Sequence, residues 1–222
     1  MIRIRKSNIV PNSLQKDGCM RYNQEDVKKQ LLEDQHDKCY ICERRLVTDF
    51  QIEHFKSQGN YPHLKAEWTN LLLSCNYCNN KKSNKYDDLL NPLENPIEEF
   101  IIHTNDFPHK KVLFLSNRND IETNKTIKLL SLIFNGAGIS RKRMEENFYE
   151  YYLSRLNSFK KLIDKFLSNP SDDYRTAIIE RLQINREFLG FKYRIIKTNP
   201  ILNREFGEYI KWNNTNKQNN NL

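Results

Sequence analysis

The chain lacks any apolar run long enough to cross a bilayer. Among its 222 residues the longest are Leu71-Leu72-Leu73 and Val112-Leu113-Phe114-Leu115, against the ~18 residues of a spanning helix. No apolar stretch follows the charged opening Met1-Ile2-Arg3-Ile4-Arg5-Lys6, so a secretory signal is not expected. A membrane protein and a secreted one are therefore set aside, and a cytoplasmic location is expected. There is no internal repeat, and no helix carries a decipherable base-reading pattern. Cysteine is scarce, with five in all, and in a reducing compartment their spacing is read for metal before disulfides.

What remains is polar and basic. Mean hydropathy is −0.80 and the pI is near 9.1, yet 38% hydrophobic and 11% aromatic residues are too many for a chain disordered throughout. The length suits one compound domain or two small ones. The net charge of +8 is uneven: residues 1–110 hold 16 Lys+Arg and 16 Asp+Glu, and residues 111–222 hold the other 20 and 12. A basic half suits a polyanion-facing surface, because phosphate neutralisation with counterion release drives nucleic-acid affinity. A solvated, lysine-rich helical surface is the competing reading, and charge alone does not decide between them.

Three regions are expected. Residues 1–95 form a first module, 96–212 a mainly helical basic region, and 213–222 a disordered Asn-rich tail. In the first, Asn23 is placed to cap a helix over about 24–36, with Asp26 at its third position. A knuckle follows at Cys39–Cys42, then a strand over 48–55 read from apolar and polar alternation. A loop over 56–67 and a lead-in over 68–73 bring the chain to the second cysteine pair, and a short polar helix is expected over 79–88. Pro92 and Pro96 mark the boundary. Beyond it, 100–103 and 111–116 can pair around Phe107-Pro108, and 126–134 reads as a helix closed by Asn135-Gly136. Ser140 is placed to cap a helix to about 168, with Met144, Phe148, Tyr152, Leu156, Phe159, Ile163 and Phe166 as its stripe. Another helix starts at Ser171, with Ile178, Leu182, Leu189 and Ile196 buried, and is broken at Asn199-Pro200.

The chemistry concentrates between the cysteines. Cys39-x2-Cys42 and Cys75-x2-Cys78 can close tetrahedrally on one Zn²⁺ at ~2.3 Å per sulfur. Such an ion staples two distant segments of a module with little core of its own, and four thiolates leave it no open position for catalysis. Four unrelated thiols are the alternative, and Cys19 stands apart as a small buried or incidental residue. Between the knuckles, Glu53-His54 ends the expected strand. Asn70 comes 16 residues after the histidine, and Asn79 directly follows the last cysteine. A histidine suits proton transfer from water near neutral pH. A carboxylate and an amide oxygen suit Mg²⁺ or Mn²⁺. Base, hard-cation ligands and stapled frame together suit hydrolysis of a phosphodiester.

The strings Cys39-Tyr-Ile-Cys42-Glu43, Ile52-Glu53-His54-Phe55, Trp68-Thr-Asn70-Leu71 and Ser74-Cys75-Asn-Tyr-Cys78-Asn79-x-Lys81 resemble the HNH endonucleases. The likeness is to their zinc-stapled subset with a ββα-metal, or His-Me finger, core, and it covers about residues 36–90. Thr126-Ile127-x2-Leu130, followed by Arg141 and Arg143, is similar to the downstream helices of the HNH subunit of Septu and retron anti-phage systems. The resemblance implies an α+β fold, with a ββα finger followed by a mainly helical region. It implies His54 as general base and Asn70 as the residue tying down the loop and orienting the histidine. Glu53 and Asn79 become ligands of a catalytic Mg²⁺ or Mn²⁺, and no organic cofactor is implied. It further implies a nucleic-acid substrate, with DNA favoured over RNA, and an ABC-type ATPase as partner. Ser57 stands where a proline commonly follows the Glu/Asp-His pair, and Glu53 where Asp is commoner.

Weaker candidates flank this core. His63 can reach a phosphate or be a solvated loop histidine. Lys81, Lys82 and Lys85 can hold backbone phosphates or be the charged turn of an exposed helix. Arg141 and Arg143 can grip nucleic acid or simply start a solvated helix. The stripe over 140–168 and the basic half are the expected docking surface for ATPase or substrate. Two other functions stay open: a free-standing restriction-like DNase, and a non-catalytic zinc-knuckle binder of nucleic acid.

Overall fold

The computed structural model describes residues 1–15, 21–46 and 48–212. Cys19 and the tail 213–222 lie outside the described residues. Helix α1 (Asn12–Gln15) is one turn, and α2 (Glu25–Gln35) follows with Glu25 and Asp26 in its first turn. The cap differs from expectation: Gln24 occupies that position without a side-chain bond. Asp26 instead accepts the Ser13 N–H and hydroxyl at 2.9 and 2.7 Å, tying α1 to α2. Val27 and Leu31, one turn apart, bury the inner face of α2.

Strands β1 (Gln51–His54) and β2 (Leu71–Ser74) form an antiparallel hairpin in which Glu53 pairs with Leu72 and His54 with Leu71. β1 is half the expected length. β2 is buried along its whole length, and each leucine removed from water contributes about 1.5–3 kcal/mol. Its free edge is not left bare. The Gln35 amide accepts from the Leu73 N–H at 2.7 Å and donates to the Leu73 carbonyl at 3.0 Å. Helix α3 (Asn76–Lys82) begins three residues before the expected start, directly after Cys75, and ends at Lys82. Ser83 then takes φ 46°, a left-handed backbone that stops the helix.

A short α4 (Ile97–Phe100) leads into the hairpin of β3 (Ile102–Asp106) and β4 (Lys111–Leu115). Helix α5 runs Ile121–Asn135, longer than expected because the Asp120 carboxylate caps the Thr123 N–H at 2.8 Å. Helix α6 runs Arg143–Ser168. It starts three residues after the expected cap, where the Glu145 carboxylate accepts from the Lys142 N–H at 2.8 Å. The region expected to be one helix from Ser171 is two, α7 (Asp172–Leu182) and α8 (Leu189–Thr198), separated where Phe188 takes φ 54°. Asn199 caps α9 (Pro200–Phe206) through its side-chain oxygen, and a 3-10 turn over Gly207–Ile210 follows.

Two apolar clusters hold these elements. The first joins Val27, Leu31, both cysteine knuckles and β2 to Leu129, Leu130, Phe134, Phe148 and Tyr152, so packing runs continuously across residue 95. Its centre is aromatic: Phe134 meets Phe114, Phe148, Tyr152 and Phe191 at centroid distances of 5.1–5.6 Å. The second gathers Phe159, Ile163 and Phe166 with Ile178, Leu182, Leu202 and Phe206. The apolar stripe of α6 therefore serves both cores. That corrects its expected role as a docking surface, because Phe148, Tyr152, Leu156, Phe159, Ile163 and Phe166 are all buried. Met144, expected in the stripe, is 69% exposed.

Candidate active site and metal centre

The two knuckles meet because the first is hydrogen-bonded to the strand that delivers the second. The Tyr40 N–H donates to the Leu73 carbonyl at 3.0 Å, two residues before Cys75. Glu43, at φ 62°, reverses the chain and returns its N–H to the Cys39 carbonyl at 2.9 Å. The sulfurs of Cys39, Cys42, Cys75 and Cys78 consequently lie within 4.8 Å of one another, all buried. Cys42 and Cys75 are 4.0 Å apart. A disulfide would need ~2.05 Å, whereas four ligands at ~2.3 Å from a tetrahedral Zn²⁺ stand ~3.8 Å apart. Burial pushes the Cys42 and Cys78 thiols well above their usual range, so a bound cation is what would hold them as thiolates. The donor set fits a closed zinc site.

His54 sits at the end of β1 with its ring fixed on two sides. Its Nε2 lies 2.9 Å from the Lys65 carbonyl. A carbonyl only accepts, so Nε2 carries the hydrogen and Nδ1 keeps its lone pair. Tyr22 packs edge-on against the ring at 4.7 Å. Burial, and after it the charges of Lys82 and Lys65, lower the pKa of His54 despite the opposing effect of the Lys65 carbonyl bond. The imidazole is thus neutral at pH 7. The Gln58 amide nitrogen stands 3.2 Å from both Nδ1 and Nε2, against the ring rather than on one nitrogen, a contact with no signal in the sequence pattern.

Among the described residues, the Asn70 side chain makes no hydrogen bond to His54. Its amide oxygen accepts from the Lys56 N–H at 2.7 Å, and its nitrogen donates to the carbonyls of Lys56 and Leu64 at 3.0 and 3.1 Å. It closes both ends of the loop whose next residue, Lys65, holds the histidine. Ser57 explains its own departure from proline. Its N–H and its hydroxyl both donate to Asp87, at 2.7 and 2.8 Å, and a proline there would lose the first bond.

Helix α3 lies along β1, with Asn79 and Lys82 one turn apart and facing Gln51 and Glu53 two residues apart. The Asn79 amide nitrogen bonds the Gln51 side-chain oxygen. The Lys82 ammonium donates to Glu53 Oε1 at 2.8 Å and to the His54 carbonyl at 2.9 Å. Burial raises the Glu53 pKa, and the Lys82 charge offsets part of that rise. Each expected ligand keeps one oxygen outside these bonds, Oε2 of Glu53 and Oδ1 of Asn79. Two hard oxygens suit a Mg²⁺ or Mn²⁺ that retains several waters.

The HNH endonuclease family model matches residues 39–85, a span that begins at the first cysteine and contains the hairpin and α3. Residues 39–85 are an HNH endonuclease domain. A relative from Bacillus thuringiensis, the Septu protein PtuB, is 41% identical over 73 residues. That alignment covers 32% of this chain and 28% of the relative, so the chain matches little more than a quarter of that protein's length.

The HNH domain is anchored to the helices by polar contacts. The Tyr77 hydroxyl donates to the Ile133 carbonyl at 2.7 Å, and its ring stacks on Phe148 at 5.1 Å. Buried Glu43 accepts the Leu189 N–H at 2.6 Å and the Met1 ammonium at 2.9 Å. Several expected phosphate contacts change character. Lys82 is fully buried and faces Glu53, because the turn of α3 that carries it packs on β1, so it offers no charge to a phosphate. Lys81 is ion-paired with Glu145. The Arg141 guanidinium lies 3.6 Å over the Tyr149 ring and donates to the Phe134 carbonyl at 3.1 Å, which makes it part of the frame. His63, Lys85 and Arg143 are exposed.

Proposed function

We propose that the chain is a metal-dependent endonuclease that hydrolyses nucleic-acid phosphodiester bonds, with His54 as general base. The observation that carries this reading is the His54 ring, held with its Nε2 on the Lys65 carbonyl at 2.9 Å. Its Nδ1 is thereby the proton acceptor, at the end of a hairpin that the cysteine cluster ties to α3. In the reading, Nδ1 of His54 takes a proton from water as that water attacks phosphorus in line and the P–O3′ bond breaks. Asn70 acts through the loop, keeping Lys65 and hence the ring in place. Glu53 and Asn79 would hold Mg²⁺ or Mn²⁺, which supplies stabilisation of the charge developing on the phosphate. Lys82 fixes the Glu53 carboxylate against β1 so that Oε2 is presented in one direction. Zn²⁺ on the four cysteines is structural, and the products carry 5′-phosphate and 3′-hydroxyl ends.

We further infer a role as effector subunit of an anti-phage defence system, working in the cytoplasm beside an ABC-type ATPase. Similarity to the Septu protein PtuB supports the defence role, and the family resemblance supports the ATPase. The test incubates plasmid DNA and total RNA with the purified chain, with Mg²⁺ or Mn²⁺ and without, alone and with the co-expressed ATPase. Divalent-dependent cutting with the expected ends supports the reading, and the substrate consumed names the nucleic acid. Silence under every condition, with a zinc-replete folded chain, would leave the non-catalytic binding module.

A further inference from the structure

A cleft of about 1220 Å³ opens on a face that shares no residue with the His54 site. Its walls are the segment Ile2–Arg5, the end of α2 with the first knuckle, the end of α7, and the last turn up to Trp212. Pockets that take small ligands run to about 300–1,000 Å³, so this one has room for a nucleotide-sized ligand and its water.

Three cations of its lining are uncommitted. Arg3, Arg5 and Lys211 line it, and among the described residues none of the three forms an ion pair. Lys38, at the back, spends its hydrogen bonds on the carbonyls of Ile184 and Arg186, yet adds a fourth positive charge. Three carboxylates share the lining, and one of them is ion-paired. Asp34 accepts from the Ser7 N–H and the Gln30 amide at 2.9 and 3.0 Å, and Glu43 is enclosed with the Met1 ammonium and the Leu189 N–H. Glu208 alone is exposed without a bonded partner among the described residues. Four cations face three carboxylates there, and the Met1 ammonium pairs one of these, Glu43, so the balance is positive and favours anions.

The same cleft offers planar apolar surface. Tyr209 is 39% exposed and lines it together with Trp212. The Trp212 ring is held by its indole N–H, which donates to the Leu182 carbonyl at 2.9 Å. Free cations beside rigid aromatic faces are the pairing used to hold phosphates and stack bases. The amides of Gln183 and Asn185, also in the lining, carry donors and acceptors of the kind that meet a base edge.

We propose that this cleft, which borders the first cysteine knuckle but not His54, is a second binding site for nucleotide chemistry: phosphate on Arg3, Arg5 and Lys211, and a base against Tyr209 or Trp212. The ligand is a free nucleotide or the end of a single strand, and the proposal does not depend on the nuclease reading.

The test is fluorescence anisotropy with full-length protein and no added Mg²⁺ or Mn²⁺, using mant-ATP and fluorescein-labelled decathymidylate in separate arms. The arm that binds identifies the source. The Arg3→Ala, Arg5→Ala, Lys211→Ala triple variant is expected to weaken that arm at least tenfold and to flatten its log–log salt slope by about 2. Tyr209→Ala is expected to weaken it about tenfold through lost stacking. These side chains lie outside the buried core, and an unchanged thermal midpoint would establish that the variants fold. Failure of both probes to bind, binding unaltered in both variants, or displacement by poly-glutamate as effective as by oligonucleotide would each overturn the proposal.

Discussion

Replacing Lys82 by methionine keeps the side chain's length and removes its charge. In the wild type the ammonium is fully buried and reaches Glu53 at 2.8 Å and the His54 carbonyl at 2.9 Å. Without it, a carboxylate that is 8% exposed loses its counter-charge. Breaking a buried pair from one side costs about 3–5 kcal/mol, and methionine retains the stem's packing, so little of that is cavity. At ~2–4 °C per kcal/mol for a chain this long, the thermal midpoint should fall by about 6–20 °C. Urea unfolding of the zinc-replete protein, without Mg²⁺ or Mn²⁺, measures it. The deficit also has a pH signature. Burial already raises the Glu53 pKa, and loss of Lys82 raises it further. The penalty is then full above the folded pKa and vanishes below the unfolded value of ~4.3 as Glu53 takes a proton in both states. Adding Glu53→Gln should recover most of the loss, because a neutral amide needs no counter-charge. A Lys82→Met protein within about 1 kcal/mol of wild type would mean that Glu53 needs no counter-charge there.

Cys75→Ser should drop the zinc-to-protein ratio, read by elemental analysis, and unfold the HNH domain, since structural zinc contributes folding energy directly; a folded, zinc-replete variant would remove the staple. His103 is buried and neutral, its Nδ1 donating to the Ile101 carbonyl at 2.8 Å; burial and the Met1 ammonium bring its pKa down to about 3. The unfolded histidine binds a proton below ~6.5 and the folded one does not, so this group should cost about 1.4 kcal/mol of stability per pH unit on acidification from ~6.5 toward 3. His103→Asn should flatten that limb in urea titrations at several pH values, and an unchanged slope would contradict the assignment. Gly190→Ala would place a Cβ 2.9 Å from His103 Nε2, so overpacking should cost about 1–3 kcal/mol, and a neutral result would mean that the ring can yield.

The sequence carried the local chemistry better than the element boundaries. The cysteine spacing located the buried four-thiol cluster, because a tetrahedral site would constrain spacing directly. The alternation around Ile52 located β1, though only half of the expected span pairs with β2. Boundaries moved where a side chain outside the apolar pattern decides them: Asp120 extends α5 backward, and a left-handed Phe188 divides α7 from α8. The stripe of α6 was legible as a stripe, but periodicity cannot say whether a partner or the chain's own helices cover it. Lys82 is the informative miss. A lysine after a cysteine knuckle looks like a phosphate contact until α3 is placed on β1, and only that packing directs it inward to Glu53. Gln58 and the Lys65 carbonyl were invisible for a related reason, since a loop's backbone direction is not written in its composition.

If His54 is the base of a metal-dependent nuclease, only a chain that keeps it should cut. The most direct measurement compares wild type with His54→Ala for cleavage of plasmid DNA and total RNA in Mn²⁺, with zinc content and thermal midpoint measured on the same preparations. The wild type should cut and the variant should lose at least about a hundredfold, the usual worth of a general base, at equal zinc content. Equal cutting by both proteins would contradict that role for His54.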